Sequence, residues 1–250
     1  MIDGKKVVAT IEARMTSTRL PGKVMIPLAG KPVVAHMIER HRRSRYTDEV
    51  VVATTVNATD DPVVALCEEM KCAYYRGSEA DVLGRVVEAG IAHSADILVQ
   101  GMADSPLVDW RTIDRLVAML EEGGFDAVSN EFEKEKYPDG FDMRVYRFSV
   151  LKKFEEEHKE EVYREHAGYQ LRNDPVHYKR GLLLAKGDAF WQTLRLTLDT
   201  IEDYKLISAI FDEMYTKNPD FSSEDVVAFL KTRPDLVAIN AEIVQKVPAV

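Results

Sequence analysis

Cysteine is scarce in this 250-residue chain. Cys67 and Cys72 are the two present, and their spacing matches neither zinc-binding nor redox pairs, so both read as reduced thiols. No run of about 18 apolar residues occurs, which excludes a membrane-spanning helix. Met1 to Thr10 carries lysines and a short apolar strand, without the long apolar core and cleavage site of a signal peptide. The expectation is therefore a cytoplasmic protein. Known phosphate loops are also missing. Neither Gly-x4-Gly-Lys-Ser/Thr nor Gly-x-Gly-x-x-Gly is found, so a P-loop ATPase and a standard dinucleotide dehydrogenase lose support. His-Glu-x-x-His, Gly-x-Ser-x-Gly and His-rich runs are absent as well, which weakens metalloprotease and hydrolase readings. Positive charge is in deficit: 33 Lys and Arg stand against 42 Asp and Glu, a formal net charge of -9. Such a surface repels nucleic-acid backbones, and any phosphate site must be a local basic cluster.

What is present points to an α/β protein. Hydrophobic residues make up 46% of the chain, enough for a sizeable core in one domain spanning 1–250. Val7 to Ile11 reads as a buried strand, and Pro32 opens a helix whose apolar positions Val33, Val34, Met37 and Ile38 keep helical spacing. Glu49 to Thr54 is a second strand, Asp60 and Asp61 cap a helix at Pro62, and Ala73 to Tyr75 is a third strand. A helix over Asp81 to His93, a strand over Ile97 to Gln100, a helix over Asp109 to Glu122 and a strand over Ala127 to Ser129 follow. This alternation predicts a mostly parallel sheet with right-handed crossovers and helices on both faces. The second half is less regular: an antiparallel strand over Phe141 to Tyr146, a charged helix over Leu151 to Leu171, a strand over Arg195 to Leu198, and helices over Ile201 to Tyr215 and Ser223 to Lys231.

Ligands in such sheets bind beyond the carboxyl ends of the strands, which singles out the loops after Ile11, Thr54 and Gln100. The first carries the chemistry. Between Ala13 and Lys23 it places Arg14, Arg19 and Lys23 among the hydroxyls of Thr16, Ser17 and Thr18, with Gly22 allowing close backbone approach. Arginine grips phosphate bidentately and lysine supplies a point charge. Three cations at one strand end, in so acidic a chain, suit a triphosphate. An ordinary basic surface loop is the alternative.

The run IEARMTSTRLPGKVMIPLAGKPV resembles the amino-terminal signature of the cytidylyltransferase family, which includes CMP-KDO and CMP-nonulosonate synthetases and the SpsF-like spore-coat polysaccharide proteins. YRGSEADVLGR at 75–85, VQGMADSPLVD at 99–109, YPDGFDMRVY at 137–146, REHAGYQLR at 164–172 and RLTLDTIEDYKLI at 195–207 also look like family segments, nearest to the SpsF-like branch. The resemblance implies a Rossmann-like, three-layer nucleotidyltransferase fold of GT-A-like type with a small antiparallel extension. Its nucleotide-binding half would be 1–130, and 131–250 would bind the acceptor and dimerise. It implies transfer of CMP from CTP to an acidic sugar, with Mg²⁺ as cofactor, in a homodimer. Arg14 and Lys23 match the family's triphosphate-binding positions, with Ser17 and Arg19 between them. Asp104 matches its catalytic metal aspartate and Asp199 a second metal ligand, while Gln100 falls near the nucleotide. Arg76, Asp81 and Arg85 are candidates for the nucleotide or acceptor pocket, with a solvated helix start as the alternative. Relatives carry a tight Gly-Asp before the proline. Here Met102 and Ala103 separate Gly101 from Asp104.

Asp142, Arg144, Arg164 and His166 are candidates for the acceptor side. A hairpin turn at Asp139-Gly140 and a structural role for His166 are the plainer alternatives, as are helix caps for Asp104 and Asp199. Other functions remain open on this scaffold: a different nucleotide, a phosphonate or sugar-phosphate acceptor, a nucleotide-sugar glycosyltransferase, or a non-catalytic nucleotide-binding protein. Asp104-Ser105-Pro106 lacks the second aspartate that a glycosyltransferase's Asp-x-Asp needs.

Overall fold

The computed structural model describes residues 1–131, 137–168, 171, 174–187 and 190–244. Its centre is a seven-stranded sheet of β1 (Val7–Glu12), β4 (Glu49–Thr55), β5 (Ala73–Gly77), β6 (Ile97–Met102), β7 (Ala127–Ser129), β8 (Arg144–Arg147) and β9 (Arg180–Leu182), in the order β5-β4-β1-β6-β8-β7-β9. Only β8 runs against the others, antiparallel to both β6 and β7. A two-stranded antiparallel sheet, β2 (Pro27–Leu28) with β3 (Lys31–Pro32), lies apart from it.

Strand parity builds the two inner layers. Val7, Ala9 and Ile11 face α1 (Val33–Arg42), α2 (Asp61–Glu69) and α4 (Trp110–Gly123), where Met37, Ile38, Val63, Leu116 and Leu120 complete a buried cluster. Val8, Val51 and Leu98 face the other way, onto α3 (Val82–Ala92) and α5 (Phe148–Glu157). Strands covered on both faces carry unbroken apolar runs, which is why the sequence exposes them so clearly. A third cluster joins Leu28 and Val33 to Leu196, Leu198, Leu206 and Phe211. It sits under α7 (Ile201–Met214), α8 (Ser223–Lys231) and α9 (Pro234–Val237).

The chain first builds β1, β4 and β5 to one side, then crosses to place β6 on the other flank of β1. The crevice where strand order reverses therefore opens between the carboxyl ends of β1 and β6.

Three expected elements differ. The helix expected over 151–171 is two pieces, α5 and the short α6 (Glu161–Glu165). His158 is extended between them and packs against Phe154 and Tyr163, with ring centroids 4.3 and 5.2 Å away. Aromatic packing overrides helix propensity there. Residues 169, 170 and 172 of the segment 164–172 lie outside the described residues. The strand expected over 195–198 is extended chain with a single bridge, Asp139 to Arg195. Asp139 donates to Leu194 O at 3.2 Å and accepts from Leu196 N at 2.6 Å. Gly140 then turns into the left-handed region at φ 104, with its Cα so close to Leu196 that a Cβ would lie 2.4 Å from that carbonyl. The ladder cannot continue, and Asp139-Gly140 is the centre of a turn, closed by Phe141 N donating to Pro138 O at 3.1 Å, as well as a contact point with the 194–196 segment. The strand expected over 141–146 begins only at Arg144.

Candidate active site

Glu12 ends β1, and the chain enters the basic loop. Met15 N donates to Asp60 Oδ1 at 2.8 Å. Fully buried Asp60 also accepts from Thr54 Oγ1, Thr55 N and Thr55 Oγ1 at 3.1, 3.1 and 2.6 Å. One carboxylate thus ties the loop to the end of β4. Asp60 stands at the start of α2, but its side chain makes no cap bond there. Gly22 N closes the loop onto Met15 O at 2.9 Å, and Gly22 itself sits at φ 71, a conformation costing an ordinary residue about 1–2 kcal/mol. A 3-10 turn over Lys23–Met25 follows and carries Lys23 into the crevice.

The opposite wall comes from β6. It runs through Met102, Ala103 N donates to Glu12 O at 3.1 Å, and Asp104 emerges just beyond the strand. Met102 and Ala103, set between Gly101 and Asp104, are absorbed by the end of the strand and the turn after it. Asp104 O accepts from Leu198 N at 2.7 Å, which brings Asp199 alongside.

The charges then converge. Lys23 Nζ lies 2.9 Å from Asp199 Oδ1 and 3.3 Å from Asp104 Oδ2. Arg19 reaches Asp199 Oδ1 at 2.9 Å. Burial alone would lower the Lys23 ammonium, but Asp104 and Asp199 more than reverse this and hold it above its ordinary range. Burial would likewise raise the Asp199 carboxyl, yet Lys23, Arg195 and Arg19 bring it below the usual carboxylate value. A cation already bridges the two carboxylates, as expected of a donor set that gathers positive charge. Both donors are hard oxygens, and Mg²⁺ needs only one or two carboxylates beside phosphate and water, so the pair fits that ion. Among the described residues no group of three or more His, Cys, Asp or Glu gathers to hold a metal by itself.

The cleft measures about 330 Å³. Arg14, Ser17, Arg19 and Lys23 line it, as do Asp104 and Asp199, and His166 stands on the α6 side. Thr18 lines it too, so most of the basic loop's singled-out residues share one site with the two aspartates. Arg14 also meets Glu79 at 3.0 Å, and Glu79 is held by Thr16 and by Asn57 Nδ2.

The other singled-out residues lie elsewhere. Gln100 is buried; it donates to Glu12 and accepts from Tyr146 OH at 3.1 Å. It points off the sheet face rather than off the strand end. Arg76 binds Thr55 O and Asn57 O, each at 2.8 Å, and pairs with Asp61, bracing the loop after β4. Arg144 forks onto Glu131 at 2.8 and 3.0 Å. Arg164 pairs with Asp81 and Glu155, and Asp142 Oδ2 accepts from Gly140 N at 3.3 Å.

Arg85 was a pocket candidate in the sequence, whereas Glu12, Asp60 and Arg195 went unread or nearly so. Glu12 lines the cleft; burial holds its carboxyl above the ordinary range, against the pull of Gln100, Arg85 and Arg144. Arg85, at 2% exposure, also reaches the cleft. A lone carboxylate ending an apolar strand was the signal for Glu12. For Asp60 it was the pair of threonines six and five residues before it. Arg195, behind Asp199, offered an i, i+4 spacing and nothing more.

A family model described as cytidylyltransferase matches residues 8–230, and the chain belongs to that family. It is 32% identical over 241 residues to an uncharacterised protein of Methanocaldococcus jannaschii, covering 96% of this chain and 97% of that one. It is also 32% identical over 230 residues to the spore coat polysaccharide biosynthesis protein SpsF of Bacillus subtilis, covering 90% and 94%. Among solved structures, a cytidylyltransferase from Leptospira borgpetersenii serovar Hardjo-bovis matches with a TM-score of 0.86 at 28% identity, over 93% of this chain and 97% of that one. The fold is that of a nucleotidyltransferase, and no helix among the described residues is long and apolar enough to cross a membrane.

Proposed function

We propose that this protein transfers CMP from CTP to an acidic sugar of the 2-keto acid class and releases pyrophosphate, for surface polysaccharide or glycoconjugate assembly. The observation that carries this reading is the meeting of Arg19, Lys23, Asp104 and Asp199 at the crevice between β1 and β6. A hydroxyl oxygen of the acceptor attacks the α-phosphorus, and the bond to the departing pyrophosphate breaks. Charge builds on that leaving group, so fixed cations aimed at it supply most of the catalysis. Lys23 and Arg19 would do this, with Arg14 and the hydroxyl of Ser17 earlier in the loop. Asp104 and Asp199 would hold Mg²⁺, whose contribution is to neutralise phosphate oxygens.

The acceptor would lie against Arg85, Glu12 and His166 on the α3 and α6 side of the cleft. The guanidinium there suits an acidic group and the carboxylate suits a hydroxyl donor. Action as a homodimer belongs to the same reading. The test is pyrophosphate release with Mg²⁺, screening the four nucleoside triphosphates against keto-sugar acids, sugar phosphates and phosphonates. Release with CTP and one keto-sugar acid is expected. Release with another nucleotide would keep the site and replace cytidine, and no turnover with any pair would remove the transferase reading.

A further inference from the structure

Asp199 lies outside any strand among the described residues, yet both its side-chain oxygens are directed. Oδ1 faces Lys23 and Arg19, each at 2.9 Å. Oδ2 is taken by Arg195 at 2.8 Å. Arg195 is held in turn by fully buried Asp203, through Nε and Nη2 at 3.1 Å each. The same Asp203 carboxylate accepts from the backbone N–H of Asp199 at 3.0 Å and of Thr200 at 2.9 Å. Asn240 closes the set, donating to Asp203 Oδ1 at 2.8 Å and Arg195 O at 3.1 Å.

We propose that Arg195 and Asp203 are positioning residues that present a single oxygen of Asp199 to the cation, an inference that rests on the metal role given to Asp199 above. Asp203 grips both the backbone of Asp199 and the guanidinium that grips its side chain, so carboxylate and main chain are fixed together. Capping α7 does not require this. The capping box of Thr200 and Asp203 is complete through the Thr200 hydroxyl and the Asp203 carboxylate, with no part for a guanidinium. Burying Arg195 is also expensive, since its Nη1 has no hydrogen-bond partner among the described residues. Oδ2 is held by buried Arg195, whereas the partners of Oδ1, Lys23 and Arg19, are the groups assigned to the pyrophosphate above, so Oδ1 is the oxygen left to ligate. This favours Mg²⁺, which keeps octahedral geometry, over Ca²⁺, which accepts bidentate carboxylates.

The test uses the full chain with CTP and no acceptor, reading Mn²⁺ binding by electron paramagnetic resonance, competition by Mg²⁺ and Ca²⁺, and the melting temperature. Arg195→Lys and Asp203→Asn are each expected to weaken Mn²⁺ and Mg²⁺ binding about 10–100-fold and to narrow the preference for Mg²⁺ over Ca²⁺. Thr200→Ala, which damages the helix cap alone, is expected to lower the melting temperature and leave cation binding unchanged. Should Arg195→Lys fail to fold, Asp203→Asn, which keeps the side-chain shape, carries the same comparison. Wild-type cation binding in the folded variants, with binding lost in Asp199→Asn, would overturn the positioning role and spare the proposed function. Unchanged binding in Asp199→Asn would overturn both.

Discussion

The two walls of the cleft hold their carboxylates by different means. Asp104 is delivered by the backbone: β6 lies in register with β1, Glu12 opposite Met102, and the aspartate follows where the strand ends. Asp199 is delivered by side chains, through Arg195, Asp203 and Asn240, on a segment bridged among the described residues by a single residue pair. The regular half gains its precision from a pattern repeated along many residues. The irregular half concentrates it in a few buried ionic groups, where losing one partner exposes the rest to the full cost of burial.

The largest effect should come where the walls meet. Lys23→Ala is expected to lower pyrophosphate release with CTP by about 10²–10³-fold, in line with loss of one preorganised charge donor, with the circular dichroism spectrum kept. Near-normal turnover would mean that the two carboxylates do not share their cation with the substrate. Next, Asp60→Ala tests whether the regular half is as independent of buried charge as its pattern suggests. It strips three backbone and side-chain partners at β4 and frees Met15 N, so thermal or urea unfolding should show a loss of about 2–4 kcal/mol. A loss below about 1 kcal/mol would show that strand pairing alone secures the loop.

Smaller effects sharpen the contrast at the surface. Arg14 and Glu79 form a half-exposed pair, with side chains 45% and 34% exposed, worth at most about 1 kcal/mol. Glu79→Gln should therefore free Arg14 and tighten CTP binding by no more than about fivefold, read by calorimetry. Weaker binding would make Glu79 part of the nucleotide site. Least of all is Glu12→Gln. Burial raises this carboxyl in the folded protein, so the folded state binds its proton more readily than the unfolded one. Stability then falls as pH rises above the ordinary carboxylate range, and below that range the effect vanishes. Glu12→Gln should raise the melting temperature slightly at about pH 8 and leave it nearly unchanged at about pH 4. The opposite dependence would mean that Arg85 and Arg144 outweigh burial.

The same contrast explains what could be read from the sequence. Val7 to Ile11, Glu49 to Thr54 and Ile97 to Gln100 were plain because each is buried on both faces. Lys23 and Arg19 followed from the loop at a strand end, and Asp104 from family likeness. Gln100 was placed near the nucleotide by family likeness, but strand parity turns it sideways, onto Tyr146 and Glu12. The 195–198 segment alternates Leu194, Leu196 and Leu198 as a strand would, and no periodicity could tell that Gly140 blocks the ladder. Arg195 shows only an i, i+4 spacing to Asp199 and Asp203 only a capping-box spacing to Thr200; their joint grip on Asp199 depends on tertiary folding.

The ion pair between Lys23 and Asp199 joins groups separated by 176 residues. Contacts this distant in sequence pay their loop-closure cost late. The basic loop, β6 and Asp104 leave the ribosome long before Asp199 and Asn240 do, so a partly made chain owns the cations without Asp199, the carboxylate that Lys23 and Arg19 share. Assembly of the cleft is consequently a report on completion: a chain cut before Asn240 would retain the basic loop, Arg195 and Asp203 and lack the amide that holds Asp203 and the Arg195 carbonyl.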